Sequence, residues 1–176
     1  MIKHPNSRRR MHRTGHMRGV AAVELAILLI PLLTLVMGVA EFGRAIYQYE
    51  ALTKATRTAT RYLSEFSPTD VAYPLADAQC LAVTGQLTSS QGCSGNPLVP
   101  GLKASMVVIC DRVNTSTGCS KTYANAPTVD SSGAAAGTIN LVEVKITGFT
   151  YTPLETFLKL TSITFNDIST VMRQVL

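Results

Sequence analysis

One glycine and one carboxylate in this chain have a spacing that could support chemistry. Gly19 follows Arg18 and precedes Glu24 by five positions, with only alanine and valine between them. Small residues followed by a carboxylate, five positions after Gly19, are typical of a processing site as well as of a membrane segment. Glu24 itself lies in an apolar run, where a carboxylate costs about 3 kcal/mol on insertion scales. An acid in that position predicts a functional site.

The four cysteines are the second group with reactive side chains. Cys80, Cys93, Cys110 and Cys119 allow three disulfide connectivities. Their short spacings favour local closure as Cys80–Cys93 and Cys110–Cys119, and each closure would constrain the unfolded chain by about 2–3 kcal/mol on the loop-entropy model. Zinc is the weaker alternative, because no Cys-x-x-Cys pair and no histidine accompanies them. We expect a structural role and no metal.

The remaining polar residues indicate no enzyme. All three histidines precede Gly19, which removes histidine triads, ligands and acid–base pairs from the rest of the chain. Asp111, Asp130 and Asp167 show no partner arrangement, and no glycine-rich phosphate loop occurs. The sequence therefore predicts neither catalysis nor a cofactor.

A long apolar run must position Gly19 and Glu24. Residues 20–40 carry one charge, Glu24, and a helix of that length reaches about 30 Å, enough to cross a bilayer core. Six of the 16 basic residues precede Gly19, and no acid does, so the rest has ten basic residues against 11 acidic ones. This is the positive-inside pattern, with the tail in the cytoplasm and the remainder exported. Because the basic charge is confined to that flank, we expect no nucleic-acid partner.

Three interpretations of the apolar run stay open on these grounds. A signal peptidase could cut after Gly38-Val39-Ala40, but the run is longer than the usual 7–15 residues and contains Glu24. A plain signal anchor explains the length and gives Glu24 no role. The third interpretation is that the run is neither a cleaved signal nor a plain anchor. Pro31 removes one helical hydrogen bond and can kink the helix.

The helix is expected to continue through residue 66. Steps of three and four residues form a seam that can pack closely on a partner, which for its C-terminal half we expect to be the protein's own sheet. The opposite surface is expected to be solvated and carries Glu50, Lys54, Arg57, Arg61 and Glu65. The seam comprises Phe42, Ala45, Tyr49, Leu52, Thr56, Ala59, Leu63 and Phe66.

The rest of the chain predicts an α+β fold with a small antiparallel sheet of three or four strands. Its alternating segment after residue 138 is typical of a half-buried strand, with Glu143 and Lys145 on the polar side. The expected elements are a helix over 70–87, loops over 88–101 and 114–137, strands over 104–110, 138–151 and 163–173, and a short turn or helix over 152–160.

Several of these motifs together resemble the TadE-like family, minor pseudopilins of the tight-adherence (Flp-type, type IV) pilus system. Gly19 with Glu24 and the apolar run with Pro31 carry the resemblance, followed by Glu41-Phe42-Gly43-Arg44 and residues 55–62. The resemblance covers residues 18–66 well. It covers the C-terminal strands loosely, from Val142 to Arg173 with the Tyr151-Thr152-Pro153-Leu154 turn.

The resemblance implies a membrane-anchored, pilin-like domain. A prepilin peptidase would cut between Gly19 and Val20, removing the basic leader 1–19. The implied parts are then a transmembrane segment 20–40, an extramembrane helix 41–66 and a periplasmic α+β domain 67–176. The implied location is the bacterial inner membrane, in a single pass, with incorporation into the pilus left open. The implied partners are the peptidase, other pilins or pseudopilins, the inner-membrane assembly platform and the lipid bilayer.

Cleavage would give Glu24 a role in assembly. It creates an α-amine at Val20 with which Glu24 of the same or a neighbouring subunit can pair, and such a pair is worthwhile in low dielectric only when both partners are present. The exported part is larger than the very short major pilins, which indicates a minor component. No DxSxS motif occurs, so adhesion through a metal site is not expected. The alternative function is an unprocessed, signal-anchored periplasmic binding domain of unrelated role.

Overall fold

The chain forms one long helix and a small α+β part. The computed structural model describes residues 17–87, 92–115, 117–119, 121–154 and 161–174. It divides between Ala40 and Glu41 into two compact units, hereafter the N-terminal unit and the C-terminal unit. The C-terminal unit thus takes in both the helix continuation predicted over 41–66 and the domain predicted over 67–176.

Helix α1 spans Met17–Ser64. It stays helical through Pro31, whose carbonyl accepts a hydrogen bond from the Thr34 hydroxyl at 2.8 Å. Its end lies two residues before the predicted one, since the amide of Phe66 binds the Leu63 carbonyl in a tighter turn at 3.1 Å. The carbonyl of Phe66 accepts a hydrogen bond from the side-chain amide of the buried Gln174, which satisfies one carbonyl just beyond the end of this helix.

Helix α2 spans Leu75–Thr84 and is shorter than the helix predicted over 70–87. Asp70 does not cap it, because its carboxylate accepts the amide of Ala72 at 3.0 Å in a local turn. Pro74 occupies the N-cap position instead. At the other end Gly85 adopts a left-handed conformation, with φ 73°, and its N–H binds the Leu81 carbonyl, which closes the helix.

Seven short strands follow in the described part of the chain, and the α+β class is confirmed. A 3-10 turn, Ala104–Met106, leads into a three-stranded antiparallel sheet in the order β1-β4-β7. Two separate two-stranded ribbons pair β2 with β3 and β5 with β6. The strands are β1 Val107–Cys110, β2 Ala126–Val129, β3 Ala135–Ile139, β4 Leu141–Ile146, β5 Thr150–Tyr151, β6 Ile163–Thr164 and β7 Ile168–Arg173.

The β2–β3 ribbon lies largely in the segment predicted as a loop over 114–137, and that prediction is wrong. The carboxylate of Asp130 holds the turn by accepting the amides of Ser132 and Ala134 at 2.8 and 3.0 Å. The strand predicted over 138–151 is also interrupted, since Gly148 has φ 66°, a conformation that favours glycine. Of the turn or helix predicted over 152–160, residues 155–160 lie outside the described part of the chain.

The core forms where α1 packs on the sheet, as predicted for the C-terminal half of the seam. Leu52 and Leu63 are fully buried among Val142, Val144 and Phe149. The charged surface opposite is exposed, also as predicted. The N-terminal half differs, because Phe42 and Tyr49 are exposed within this chain.

A line of threonines completes this contact between α1 and β7. Thr56 and Thr170 hydroxyls lie 3.0 Å apart, and Thr60 donates to the Thr170 carbonyl at 3.2 Å. Thr60 also donates to the Thr56 carbonyl within the helix at 2.7 Å. Since Thr56 and Thr60 are fully buried, these bonds satisfy hydroxyls that would otherwise weaken the interface.

Strand β4 is buried on both faces, so the predicted half-buried strand is wrong. Its polar face holds Glu143 and Lys145, which are only 2% and 6% exposed. The segment after β1 covers this face: Lys121 pairs with Glu143 at 2.8 Å, and Lys145 donates to the Gly118 carbonyl. The polar alternation in the sequence therefore marks buried polar side chains, and Glu143 forms its ion pair with the half-exposed Lys121.

Candidate functional site: the processing segment, the apolar helix and the helix clamp

The predicted processing segment is accessible in the structure. Gly19 and Val20 are both exposed within α1. A side chain at Gly19 would meet no other atom within 4 Å. The packing of this chain thus does not require a glycine at position 19. Any requirement for glycine there must come from another molecule that binds this segment.

The apolar run is equally open. From Val20 to Ala40 no side chain is buried against the rest of the described chain. The helix Gly19–Ser64 is the one described helix that is long and apolar enough to cross a membrane. Soluble monomers rarely expose continuous apolar patches of this size, so the run needs an apolar environment from outside the chain.

Glu24 stands one helical turn from Val20, and its side chain is exposed. Residues four apart on a helix lie on one face, with about 5–6 Å between their Cβ atoms. An amine created at Val20 would therefore come within reach of the carboxylate of the same chain, and equally of a neighbouring one. Gly19, Val20 and Glu24 all lie in the first two turns of α1.

A second polar cluster holds the first turn of the C-terminal unit, and sequence reasoning gave it no role. Glu41 is buried and accepts hydrogen bonds from the Tyr151 hydroxyl and, at 3.2 Å, from the Leu154 amide. Arg44 donates to the Tyr151 hydroxyl at 3.1 Å and to the Thr152 carbonyl at 2.9 Å. We call these five residues the helix clamp, because they bind α1 to β5 and to the segment that follows it. The helix clamp consists of Glu41, Arg44, Tyr151, Thr152 and Leu154.

Charge within the helix clamp is balanced. The Arg44 guanidinium lies 3.4 Å from the Glu41 carboxylate and 5.2 Å from the centre of the Tyr151 ring. Burial, followed by the hydrogen bond to Glu41, raises the pKa of Tyr151, so its hydroxyl remains a proton donor at neutral pH. Both parts of this cluster were noted in the sequence, as Glu41-Phe42-Gly43-Arg44 and as the turn that begins at Tyr151. Their contact could not be inferred, because more than a hundred residues separate them.

A third polar cluster lies behind the sheet around Glu143. Its carboxylate accepts hydrogen bonds from the Lys121 ammonium and the Tyr123 hydroxyl. Burial alone would raise the pKa of Glu143, but hydrogen bonds from Lys121, Tyr123 and Ser169 outweigh burial and hold it below the usual 4.5. Burial and the same carboxylate raise the pKa of Tyr123.

This cluster predicts acid sensitivity. Below pH 4.5 the carboxyl of Glu143 gains a proton in the unfolded chain before it does so in the folded one. Its stabilising contribution is therefore complete above about pH 4.5 and is lost as the pH falls through the lower folded pKa. Urea unfolding at a series of pH values should show Glu143→Gln about 1.5–3 kcal/mol less stable at neutral pH, with a flatter decline in acid.

The matched control for this prediction is Glu65→Gln, which alters an exposed carboxylate in the turn that follows α1. Its unfolding free energy should stay close to that of the unaltered chain at every pH. If Glu143→Gln declines in acid as steeply as the unaltered chain, Glu143 does not contribute to acid sensitivity in the way described.

The cysteines form two disulfides, in the local pairing that the spacings favoured. Cys80 in α2 is joined to Cys93, and Cys110 at the end of β1 is joined to Cys119. No free cysteine occurs in the described residues. The second bond closes the segment that covers Glu143 and Lys145, so it supports the buried polar face of β4.

The three aspartates singled out in the sequence serve local structure. Asp111 accepts the amides of Val113 and Asn114 at 2.8 and 2.7 Å. Asp130 shapes the β2–β3 turn, and Asp167 lies 4.0 Å from the Lys145 ammonium. Over the described ranges, no group of three or more His, Cys, Asp or Glu side chains could hold a metal ion.

These observations define a class of protein: one N-terminal apolar helix, fitting a single-pass membrane protein, leads into a disulfide-bonded α+β part. The model of the TadE-like protein family matches residues 19–61. The predicted resemblance to that family is confirmed over these residues. Comparisons with curated proteins and with solved structures return no match.

The family match begins at Gly19 and covers Glu24, the apolar run and the α1 side of the helix clamp. It stops before α2, both disulfides and every strand. The matched range thus combines the exposed apolar run with the part of α1 that contributes Leu52 and Ala59 to the core.

Proposed function

We propose that the protein is a minor pseudopilin that takes part in assembly of a tight-adherence (Flp-type) pilus. In this proposal a prepilin peptidase cuts between Gly19 and Val20, and the processed helix acts by packing in the inner membrane or the pilus. The observation that carries the proposal is the family match, which starts at Gly19 itself and continues through the apolar run.

The character of the N-terminal unit supports this function. The basic leader precedes an exposed glycine, and an apolar helix without internal partners follows it. A helix of this kind gains stability only from lipid or from other helices. We propose that the short N-terminus is cytoplasmic, that the C-terminal unit is periplasmic, and that the protein is anchored until it is drawn into assembly.

The proposed partners follow from this function. They are the prepilin peptidase, other pilins or pseudopilins, the inner-membrane assembly platform and the bilayer. The protein would act without enzymatic activity, cofactor or nucleic acid, and it would contribute to adhesion only through the pilus. The disulfides suit an oxidising compartment, which supports export of the C-terminal unit.

The mature N-terminus tests the proposal. Protein recovered from membranes is expected to begin at Val20 when the prepilin peptidase is present and at Met1 when it is deleted. Gly19→Leu should give only the uncut form, because a bulky side chain replaces the small residue before the cut. Intact mass or terminal sequencing distinguishes these forms.

A matched control is Gly38→Leu, in the same apolar run, where a side chain also meets no atom of this chain within 4 Å. Its processing should be unchanged. A chain that begins at Met1 in the presence of the peptidase would leave a signal-anchored domain of unrelated role. A chain that begins at Glu41 would indicate an ordinary secreted protein.

A further inference from the structure

Exposed apolar side chains concentrate at one end of the C-terminal unit. Of the 11 large hydrophobic side chains exposed in its described part, six belong to the first nine residues of its helical segment or to the segments at β5 and β6. We call these six the apolar collar: Phe42, Ile46, Tyr47, Tyr49, Leu154 and Ile163.

Contacts within the unit bring the two parts of the apolar collar together. The amide of Leu154 lies 3.2 Å from the carboxylate of Glu41, which immediately precedes Phe42. Ile163 pairs in register with Tyr151, whose hydroxyl binds the same carboxylate. Leu154 and Ile163 are therefore neighbours of Phe42 at the helix clamp, although they are more than a hundred positions from it in the sequence.

The exposure of the collar is large. Phe42 is 68% exposed and Leu154 is 70% exposed. The charged residues on either side of Phe42 form bonds within the unit: Glu41 is buried, and Arg44 donates hydrogen bonds to Tyr151 and Thr152. The helix clamp thus buries the carboxylate of Glu41, while the neighbouring apolar and aromatic side chains stay exposed. Such a surface indicates an apolar or interfacial partner.

Continuity of the chain identifies that partner. Phe42 follows the end of the apolar run by two residues, about 3 Å along a helix. When residues 20–40 span the hydrocarbon core, the next turns pass through the headgroup layer, which adds about 5–7 Å on each side. Tyrosine is suited to this layer because its ring is apolar and its hydroxyl is polar. Phenylalanine and leucine can enter the boundary between headgroups and acyl chains with their apolar side chains.

We propose that three side chains of the apolar collar, Phe42, Leu154 and Ile163, dock on the lipid bilayer at the boundary between headgroups and acyl chains. The helix clamp holds Leu154 and Ile163 beside α1, so that they enter the interface together with Phe42. This proposal rests on the membrane-spanning helix of the proposed function and adds a second attachment, by which the C-terminal unit is held against the membrane surface. Its contact is apolar and does not depend on anionic lipid.

Tryptophan fluorescence provides the test, because the chain contains no tryptophan. The full chain carrying Leu154→Trp is reconstituted in phosphatidylcholine vesicles with bromine near the headgroup end or near the methyl end of the acyl chains. Bromine near the headgroups should remove most of the emission, and bromine near the chain ends should remove much less. Quenching should persist at about 1 M salt, where the Debye length is about 3 Å.

Two further single-tryptophan chains serve as controls. Val129→Trp lies in β2, is 68% exposed in the unaltered chain and should be unquenched by either lipid. Leu29→Trp lies in the apolar run and should be quenched in vesicles by the bromine near the chain ends. Adding Phe42→Ser and Ile163→Ser to the Leu154→Trp chain should reduce its quenching toward that of the Val129→Trp chain.

The outcomes separate the collar from the spanning helix. If the Leu29 probe is quenched while the Leu154 probe behaves like the Val129 probe, docking is wrong and the membrane helix stands. If the Leu29 probe is unquenched, both are wrong. A third outcome is that the Leu154 probe is shielded from water but not quenched by lipid, and that dilution into excess lipid exposes the probe to water. In that case a second copy of the protein covers the collar, and the bilayer proposal is wrong.

Discussion

Replacing Glu24 with leucine is expected to leave the protein in the membrane and to remove it from assembled pili. The change takes away a carboxylate that opposes insertion, so anchoring should be retained or improved. If the proposed cleavage after Gly19 occurs, the change also leaves the resulting amine at Val20 without the partner proposed for it. Losing one member of an ion pair in low dielectric costs about 3–5 kcal/mol, so a pairing of this kind would make association at least about 100-fold weaker.

The measurement is the ratio of protein in sheared pili or cross-linked pilin complexes to protein in the membrane fraction. That ratio should fall by more than tenfold for Glu24→Leu and Glu24→Gln alike, because the charge and not the volume is required. Processing at Gly19 is measured in the same samples, so that a loss of cleavage is not mistaken for a loss of pairing.

Glu50→Gln is the control for these variants. It removes an exposed carboxylate from the same helix, on the face that carries Lys54, and should leave the ratio unchanged. Normal assembly of processed Glu24→Leu would rule out the role assigned to Glu24. Equal loss in the Glu50 variant would indicate a general sensitivity of α1 to its charge.

Features that depend on local spacing were predictable from the sequence. The apolar run, the charged face of α1 and the seam around Leu52 and Leu63 follow from helical periodicity, and the structure shows each of them. The disulfide pairing was predictable for the same reason, since a short closed loop is favoured over a long one. Gly19 and Glu24 could be found because both lie on one segment.

Features that depend on distant contacts were not predictable. Ala135-Ala136-Gly137 has no alternation of apolar and polar side chains, so β3 carries no pattern of a strand. Glu143 alternates as an exposed residue does, and only the covering segment with Lys121 buries it. The helix clamp joins Glu41 to Tyr151, and no rule of spacing relates positions so far apart.

Replacing Tyr151 with phenylalanine is expected to destabilise the C-terminal unit more than its small change in volume implies. The lost hydroxyl donates to a buried carboxylate and accepts from Arg44 at 3.1 Å. A hydrogen bond to a charged group contributes about 1.5–3 kcal/mol, and Glu41 cannot recover it from water because it is only 6% exposed. Urea unfolding of the full chain in detergent, followed by far-ultraviolet circular dichroism, measures the loss.

Tyr47→Phe is the matched control, since that side chain is 73% exposed and its unfolding free energy should change by less than about 0.5 kcal/mol. The double variant with Glu41→Gln should lose less than the sum of the two single losses, because both remove the same bond. Additive losses would mean that Tyr151 and Glu41 stabilise the unit independently. If the losses are coupled, Glu41 and Arg44, which lie inside the family-matched segment, bind the β5–β6 ribbon to α1. The ribbon itself lies outside that segment.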